Sequence, residues 1–212
     1  MQLKGIDGHY GNQRKTVIFG FGASHCAIYA LKAHGFRDIT ICIQRPDHEV
    51  REEVRDCDYV RIREGCEGEA RMVVVDNNGT TRPLTEFISE AGIIINGTFQ
   101  DSENPTGFVI QAESACLKSN GLIIDVSCDE GMGFFFAKPT TFKSPMFKYK
   151  TIDYYAVDHT PSYLWGSATR EISAALIVYL PTVLAGRDSW QKGEAIRKAI
   201  TIDSGVIQPL LF

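Results

Sequence analysis

The stretch Thr16-Val-Ile-Phe-Gly-Phe-Gly22 decides the fold class of this 212-residue chain. Four residues that favour strands are followed at once by two glycines, and residues 24–34 then carry apolar side chains at helical spacing. A strand that passes through such a turn into a helix is typical of the first βα unit of a dinucleotide-binding fold. Because a glycine pair also occurs in ordinary strand-to-helix turns, the interpretation depends on the rest of the chain.

Short apolar runs recur along the chain and predict six strands. They lie at residues 16–19, 39–43, 72–75, 92–96, 122–126 and 154–157. Several are apolar on both faces, as expected for strands that helices cover on both sides. Crossover helices are predicted at residues 24–34, 83–91 and 109–118. We therefore expect an α/β fold with a mostly parallel, doubly wound sheet of the Rossmann type.

Two regions depart from this alternation. Asp76-Asn-Asn-Gly79 lies between extended stretches and predicts a hairpin in a peripheral insertion. After Pro161 the pattern predicts one apolar helix over residues 167–184 and a polar helix near residues 189–199, with no further strand. The predicted domains are a lead-in segment (residues 1–15), a dinucleotide-binding domain (16–161) and a C-terminal helical segment (162–212).

Composition excludes several classes of protein. The net charge is −4 and the basic residues are scattered, which argues against a nucleic-acid partner. The six cysteines form no CxxC pair, and Cys42 lies in an apolar run, so we expect reduced thiols. Residues 172–184 are too few to span a bilayer, no leader is recognisable, and the histidines lack metal-site spacing. These features predict a cytoplasmic protein without a membrane segment or a metal site.

The glycine turn predicts where the phosphates of a dinucleotide bind. Gly20 would permit the tight turn, and Gly22 would let the pyrophosphate approach the backbone. The helix that begins at Ala23 and Ser24 would direct its first amide groups at the same phosphates.

The end of the second strand, Ile43-Gln-Arg-Pro46, predicts which dinucleotide is bound. A carboxylate at this place would hydrogen-bond a ribose 2′-hydroxyl and repel a 2′-phosphate, but none is present. The Arg45 guanidinium can instead bind a 2′-phosphate, with Gln44 beside it. NADP(H) is therefore favoured over NAD(H). The alternative is a solvated Arg45 that pairs with Asp47 at the surface.

Polar residues follow the later strands. Asn96-Gly97-Thr98 and the segment from Asp125 through Ser127 to Asp129 end the fourth and fifth strands, at the sheet edge where such folds bind ligands. Asp129 would lie near the nicotinamide, where a carboxylate orients an amine or transfers a proton, although Asp also caps helices. His159 follows the sixth strand at the same edge, although a lone histidine is more often structural.

Four motifs together resemble the alanine dehydrogenase and pyridine nucleotide transhydrogenase family, and within it the N5-(carboxyethyl)ornithine synthases. They are Gly20-Phe-Gly22, Ile43-Gln-Arg-Pro46, Ile124-Asp-Val-Ser-Cys-Asp-Glu-Gly-Met-Gly133 and Tyr155-Ala-Val-Asp-His-Thr-Pro-Ser-Tyr-Leu164. The resemblance implies reductive condensation of pyruvate with the side-chain amine of ornithine or lysine, using NADPH. It also implies that Asp129 is the acidic group beside nicotinamide and substrate, and that His159 contacts the cofactor.

The chain departs from this family pattern in two places. The turn at Ala23-Ser-His-Cys26 is one residue shorter, which would obstruct the approach of phosphates. Family members begin with a substrate domain, whereas only residues 1–15 precede the first strand here. The resemblance implies that the long helix packs on that domain through Ile172, Leu176, Val178 and Leu180. We therefore expect the cofactor half of an oxidoreductase that associates with a substrate domain or with itself. The alternatives are a non-catalytic dinucleotide-binding module or degenerate fragment, and an alanine dehydrogenase- or transhydrogenase-like subunit.

Overall fold

The computed structural model describes residues 10–20, 22, 24–44, 54–98, 100 and 105–208. The chain divides into two compact units, residues 1–158 and 159–212. Within the described ranges no helix combines the length and the apolar character needed to cross a bilayer.

The described part of the first unit contains eleven strands and two short α-helices. In chain order its elements are β1 (Thr16–Phe19), α1 (Ser24–Ala33), β2 (Ile39–Ile43), β3 (Asp58–Glu64), β4 (Met72–Val75), β5 (Thr81–Pro83), α2 (Leu84–Ser89), β6 (Ile93–Asn96), β7 (Gly107–Val109), β8 (Leu122–Asp125), β9 (Gly133–Phe134), β10 (Met146–Tyr149) and β11 (Ile152–Tyr155).

The described residues form a nine-stranded sheet in the order β10-β11-β8-β6-β1-β2-β3-β4-β5. The run from β11 to β3 is parallel throughout, and the outer strands β10, β4 and β5 are antiparallel to their neighbours. The order of the parallel strands reverses between β1 and β6, which is the switch point of a Rossmann sheet. The predicted fold class is confirmed.

Both faces of β1, the central strand of the sheet, are buried, as its apolar run predicts. Ile18 packs in one cluster with Ile28 of α1. Val17 and Phe19 point to the opposite face and pack in a second cluster with Phe87 of α2. Burial of apolar side chains on both faces is the main source of stability for such a strand.

The sequence predicts that the third strand along the chain is formed by residues 72–75. In the structure, the strand that pairs parallel with β2 is β3. The sequence of β3, Asp-Tyr-Val-Arg-Ile-Arg-Glu, contains four charged residues among seven, and the strand is mostly only partly buried. It therefore lacks the apolar run on which the prediction relied. Residues 72–75 form β4, which pairs antiparallel with β3 and turns at Asp76–Gly79 into β5, so the predicted hairpin is confirmed.

The crossover helix predicted at residues 109–118 is wrong. The chain instead forms β7 and then a 3-10 helix, Gln111–Cys116. The Arg71 guanidinium donates to the carbonyl oxygens of Gly107 (2.5 Å) and Phe108 (2.9 Å), which holds this part extended. The Glu113 carboxylate accepts from the Ile110 amide at 3.1 Å and pairs with Arg71. These contacts are long-range and leave no trace in local periodicity.

The second unit is mostly helical. Its elements are α3 (Trp165–Ile177), α4 (Leu180–Leu184), α5 (Arg187–Trp190), α6 (Glu194–Ala199), β12 (Ile202–Asp203) and β13 (Val206–Ile207). The single helix predicted over residues 167–184 is wrong: α3 ends at Ile177, because Pro181 has no amide hydrogen to continue it and lies instead in the first turn of α4. The β12–β13 hairpin also contradicts the absence of further strands. Its turn uses Ser204 and Gly205 at positive φ.

Candidate functional site

The turn after β1 lies directly against the loop after β6. Gly20 has φ of +86°, and a Cβ atom there would lie 2.8 Å from the carbonyl oxygen of Gly97. The Gly20 amide donates to the Cys42 carbonyl (3.1 Å), and the Gly97 amide donates to the Phe19 carbonyl (2.9 Å). Only glycine fits this close approach, so Gly20 lets the turn after β1 lie against the loop after β6 at the switch point.

Gly22 has different surroundings. Among the described residues, and apart from its chain neighbours, no group lies within 4 Å of a Cβ atom added there. Its carbonyl accepts from the His25 amide at 3.2 Å, at the start of α1. Ala23 lies outside the described residues. The space beside Gly22 leaves room for a ligand at the amino end of a ten-residue helix.

Three hydrogen bonds join the loops that follow β6 and β8. The Val126 amide donates to the Asn96 carbonyl at 2.7 Å. The Asn96 side-chain amide donates to the Asp125 carboxylate at 3.0 Å, and the Ser127 hydroxyl donates to the Thr98 carbonyl. Asn96 and Asp125 are adjacent in the β6–β8 register, which explains why their side chains meet. The two loops therefore form one tied unit.

Asp125 is the centre of this buried polar cluster. Its carboxylate also accepts from the Cys128 amide (3.0 Å) and from the Tyr154 hydroxyl of β11 (2.5 Å). Burial raises the pKa of the Asp125 carboxyl, and its hydrogen bonds oppose that rise. Burial and the neighbouring carboxylate also raise the pKa of the Tyr154 phenol. Sequence analysis missed Tyr154, because an aromatic residue inside a strand is normally a core residue.

Asp129 lies beyond this cluster and is exposed. Its amide donates to the Ser127 carbonyl at 2.5 Å, in a tight turn in which Cys128 has φ of +26°. Burial and nearby carboxylates raise the pKa of the Cys128 thiol to about 11, so this thiol is protonated at neutral pH. The exposed carboxylates on this loop are those of Asp129 and its neighbour Glu130.

Two buried polar atoms on the segment after β6 have no hydrogen-bond partner within the part of the chain that the structure describes. They are Thr98 Oγ1 and Gln100 Nε2. The side-chain oxygen of Gln100, Oε1, accepts from the Thr106 amide at 2.6 Å. Buried groups of this kind normally have a partner, and a ligand or a bound water is the usual explanation. The sequence offered no signal for Gln100.

The remaining predicted residues are Gln44, Arg45 and His159. Gln44 directly follows β2 and is exposed, whereas Arg45 lies outside the described residues. His159 belongs to the second unit, where it precedes a 3-10 helix with φ of +55°. Their roles as cofactor contacts stay predictions. Across the described ranges no group of three or more His, Cys, Asp or Glu residues is arranged to hold a metal ion.

Comparison with solved structures supports the fold. An L-alanine dehydrogenase superimposes with a TM-score of 0.66 at 15% identity, covering 92% of this chain and 50% of that one. A transhydrogenase from Sinorhizobium meliloti gives a TM-score of 0.63 at 14% identity, covering 92% of this chain and 52% of the other. At such identities the likeness shows the fold alone.

Comparison of sequences identifies the family. N(5)-(carboxyethyl)ornithine synthase of Clostridium botulinum is 34% identical over 97 residues, which cover 45% of this chain and 30% of that protein. The family model for the alanine dehydrogenase/PNT C-terminal domain matches residues 14–209. The matched region thus spans under a third of the curated relative. The chain belongs to the alanine dehydrogenase/PNT family and contains its C-terminal, dinucleotide-binding domain.

Proposed function

We propose that this chain binds NADP(H) and forms the nucleotide-binding part of an oxidoreductase. The proposed reaction is the reductive condensation of pyruvate with the side-chain amine of ornithine or lysine, and the similarity to N(5)-(carboxyethyl)ornithine synthase supports it. The observation that carries the cofactor proposal is the polar crevice at the switch point. There the Gly20 turn contacts a loop whose buried Thr98 hydroxyl lacks a partner among the described residues.

The residues at this crevice fit a dinucleotide. Gly20 and Gly22, with the first amides of α1 at Ala23 and Ser24, would hold the pyrophosphate. The space beside Gly22 is consistent with that role. On the other side of the switch point, the proposed contacts to the nicotinamide half are Asn96, Gly97, Thr98 and Ser127.

The preference for the phosphorylated cofactor rests on the end of β2. Gln44 is exposed there, and the sequence supplies Arg45 instead of a carboxylate. A guanidinium forms strong bidentate hydrogen bonds with a phosphate group. We therefore propose NADP(H) rather than NAD(H).

The chemistry divides between the cofactor and the protein. The bound dinucleotide would supply the hydride for reduction of the carbon–nitrogen double bond that pyruvate and the amine form with loss of water. The exposed Asp129 carboxylate would orient the amine and exchange a proton with its nitrogen. The tied loops keep Asp129 in a fixed place, which supports the orientation that such a reaction needs. His159 is proposed as a further cofactor contact.

The substrates need a second binding surface. In the second unit Ile172 is 57% and Leu176 is 61% exposed on α3, which is apolar surface of the kind that marks an interface. We propose that this helix contacts a substrate domain or a second copy of the chain. Light scattering tests this: association is the expected result, and a strictly monomeric chain that turns over substrate contradicts it.

Fluorescence titration with NADPH and NADH tests the cofactor assignment. The wild-type chain is expected to prefer NADPH. Arg45→Ala should weaken NADPH binding by about 10- to 150-fold and leave NADH binding unchanged, because it removes a charge-assisted bond to the 2′-phosphate. Arg37→Ala is the matched control, since Arg37 is an exposed arginine before the amino end of β2. Equal affinities of the wild-type chain for the two cofactors contradict the assignment.

NADPH oxidation in the presence of pyruvate and ornithine or lysine tests the reaction. We expect turnover only when a substrate-binding domain is present. Under those conditions Asp129→Asn should abolish turnover and retain NADPH binding. Binding of NADPH without turnover of any such pair would instead support a non-catalytic dinucleotide-binding module.

A further inference from the structure

We propose that Asn78 is a site of spontaneous deamidation, and that the carboxylate of Asp76 slows this reaction. Both residues lie at the tip of the hairpin that joins β4 to β5, and β5 is the outermost strand of the sheet. The crevice between β1 and β6 lies in the middle of the same sheet. The proposal therefore does not depend on the binding of a dinucleotide.

The reaction needs only Asn78, Gly79 and water. The main-chain nitrogen of Gly79 attacks the side-chain carbonyl carbon of Asn78, and a carbon–nitrogen bond forms. The side-chain nitrogen of Asn78 leaves as ammonia and takes the proton of the Gly79 amide. Water then opens the five-membered imide at either carbonyl, which gives aspartate or isoaspartate without oxidation or reduction. Asparagine is a thermolabile residue, and a following glycine has no side chain to shield the attacking nitrogen.

The chain contains an internal comparison for this reaction. The dipeptide Asn-Gly occurs three times, at residues 78–79, 96–97 and 120–121. Two of the three continue with the same residue, as Asn-Gly-Thr at 78–80 and at 96–98. The attack depends mainly on the residues that follow the asparagine, so local sequence gives Asn78 and Asn96 similar reactivity. A large difference between them in the folded protein must come from the fold.

The hydrogen bonds found at the hairpin tip join residues of the tip to one another. Residues 76–80 are all exposed. The Gly79 amide donates to the Asp76 carbonyl (3.0 Å), and the Asp76 carboxylate accepts from the amides of Asn78 (2.9 Å) and Thr80 (2.8 Å). Among the described residues beyond its chain neighbours, no group lies within 4 Å of a Cβ atom added at Gly79. Exposed bonds of this kind open at little cost, which frees Asn78 to adopt the geometry of attack.

Asn96 is held by the core of the fold. It is fully buried, its side-chain amide donates to the Asp125 carboxylate at 3.0 Å, and its side-chain oxygen accepts from the Thr98 amide at 3.3 Å. The amide of the following Gly97 donates to the Phe19 carbonyl at 2.9 Å. Attack at Asn96 therefore requires the buried polar cluster to open.

Asn120 is intermediate between these two. It is exposed, but its amide donates to the Thr151 hydroxyl at 3.2 Å and its carbonyl accepts from the Arg14 guanidinium at 3.3 Å. These bonds join segments that are distant in the chain, so they restrict the backbone more than bonds within one turn. The expected order of reactivity is Asn78, then Asn120, then Asn96.

Peptide mapping by mass spectrometry tests this order after the purified chain is incubated at mildly alkaline pH. The gain in mass as an amide becomes a carboxyl, and the separation of isoaspartyl from aspartyl peptides, follow each Asn-Gly site in the same sample. In the folded protein Asn78 should react at least about tenfold faster than Asn96. In concentrated urea the two should react at similar rates. A folded protein in which Asn78 does not react, or reacts no faster than Asn96 and Asn120, overturns the proposal.

Variants at the tip test the role of the Asp76 carboxylate. Asp76→Ala removes the acceptor for two amides of the tip, so deamidation of Asn78 should become about three- to tenfold faster. Asp76→Asn is the matched control, because its side-chain oxygen can still accept and the rate should stay near that of the wild type. Gly79→Ala should slow the reaction, since it places a methyl group beside the attacking nitrogen. An unchanged rate in Asp76→Ala, or equal acceleration by both Asp76 variants, overturns the role assigned to these hydrogen bonds.

Discussion

The two sides of the crevice are built from different interactions. On the side of β6 and β8, buried polar groups are tied together, with Asn96, Asp125 and Tyr154 joined by hydrogen bonds. On the side of β1, the turn is held by main-chain bonds and by the close contact of Gly20 with Gly97, and no described residue beyond the chain neighbours lies within 4 Å of a Cβ atom added at Gly22. The polar side is preorganised, as the positioning of a reacting group requires, and the glycine side provides room for phosphates. This contrast predicts that substitutions destabilise the protein for different reasons on the two sides: loss of hydrogen bonds on the polar side, and steric clash on the glycine side.

The largest effect is expected at the centre of the polar side. Asp125→Ala leaves the Asn96 side-chain amide, the Cys128 amide and the Tyr154 hydroxyl without their acceptor. We expect a loss of about 3–5 kcal/mol in the free energy of unfolding, measured by urea denaturation, because unpaired buried donors are costly.

Asp125→Asn is the matched control for that change. The side-chain oxygen of the new asparagine can still accept from Asn96 and Cys128, and its side-chain NH2 group can donate to the Tyr154 oxygen. We therefore expect the free energy of unfolding to fall by less than about 2 kcal/mol. Equal losses for the two variants would show that the cluster contributes little through hydrogen bonding. The contrast between the two sides of the crevice would then be wrong.

A smaller effect is expected on the glycine side. Gly20→Ala places a Cβ atom 2.8 Å from the Gly97 carbonyl oxygen at a φ of +86°. Backbone strain and the clash together should lower the free energy of unfolding by about 3 kcal/mol. Gly22→Ala should change it by less than about 1 kcal/mol, because that position has open space. Thermal denaturation of both variants measures the difference, and a similar loss for both would mean that the turn tolerates no side chain at all.

Much of the sheet could be predicted because burial leaves a local pattern. The apolar runs at residues 16–19, 39–43 and 122–126 gave β1, β2 and, over residues 122–125, β8, because both of their faces are covered. β10 was missed because it alternates exposed and partly buried residues, and β3 was missed because charged residues interrupt its apolar ones, so no apolar run marks either strand. The β7 segment was missed because Arg71, more than 30 residues earlier, holds its carbonyl groups. A contact of that range has no local signature.

For the candidate site, the sequence could predict which residues lie near the carboxyl ends of strands, but not which of their side chains contact one another. The sequence indicated that Asn96 and Ser127 follow strands at one edge of the sheet, and both lie there. It could not show that Asn96 bonds Asp125, because the pairing depends on the register between β6 and β8. It could not show the partner of Asp125 either, since Tyr154 lies in a strand and has the ordinary pattern of a core residue.

The smallest expected effect is a dependence of the free energy of unfolding on pH. It tests whether burial raises the pKa of Asp125, at the centre of the polar side. The folded-state pKa of Asp125 is raised by burial above its value in the unfolded chain. The folded protein therefore holds this proton more tightly, and the stabilisation is complete below the unfolded pKa of about 3.9. It is lost as the pH rises from there through the folded pKa, with a slope of at most about 1.4 kcal/mol per pH unit.

The comparison of wild type with Asp125→Asn isolates this contribution. Other carboxyl groups change stability in the opposite direction: the Arg63 guanidinium, for example, lowers the pKa of Glu69 to about 2. Such groups are common to both proteins and cancel in the difference between them. Urea denaturation from pH 3.5 upward should show the stability of the wild type falling relative to Asp125→Asn and then levelling above the folded pKa of Asp125. A difference that is independent of pH, or that rises, would mean that the three donors outweigh burial and keep the carboxylate ionised in the folded protein.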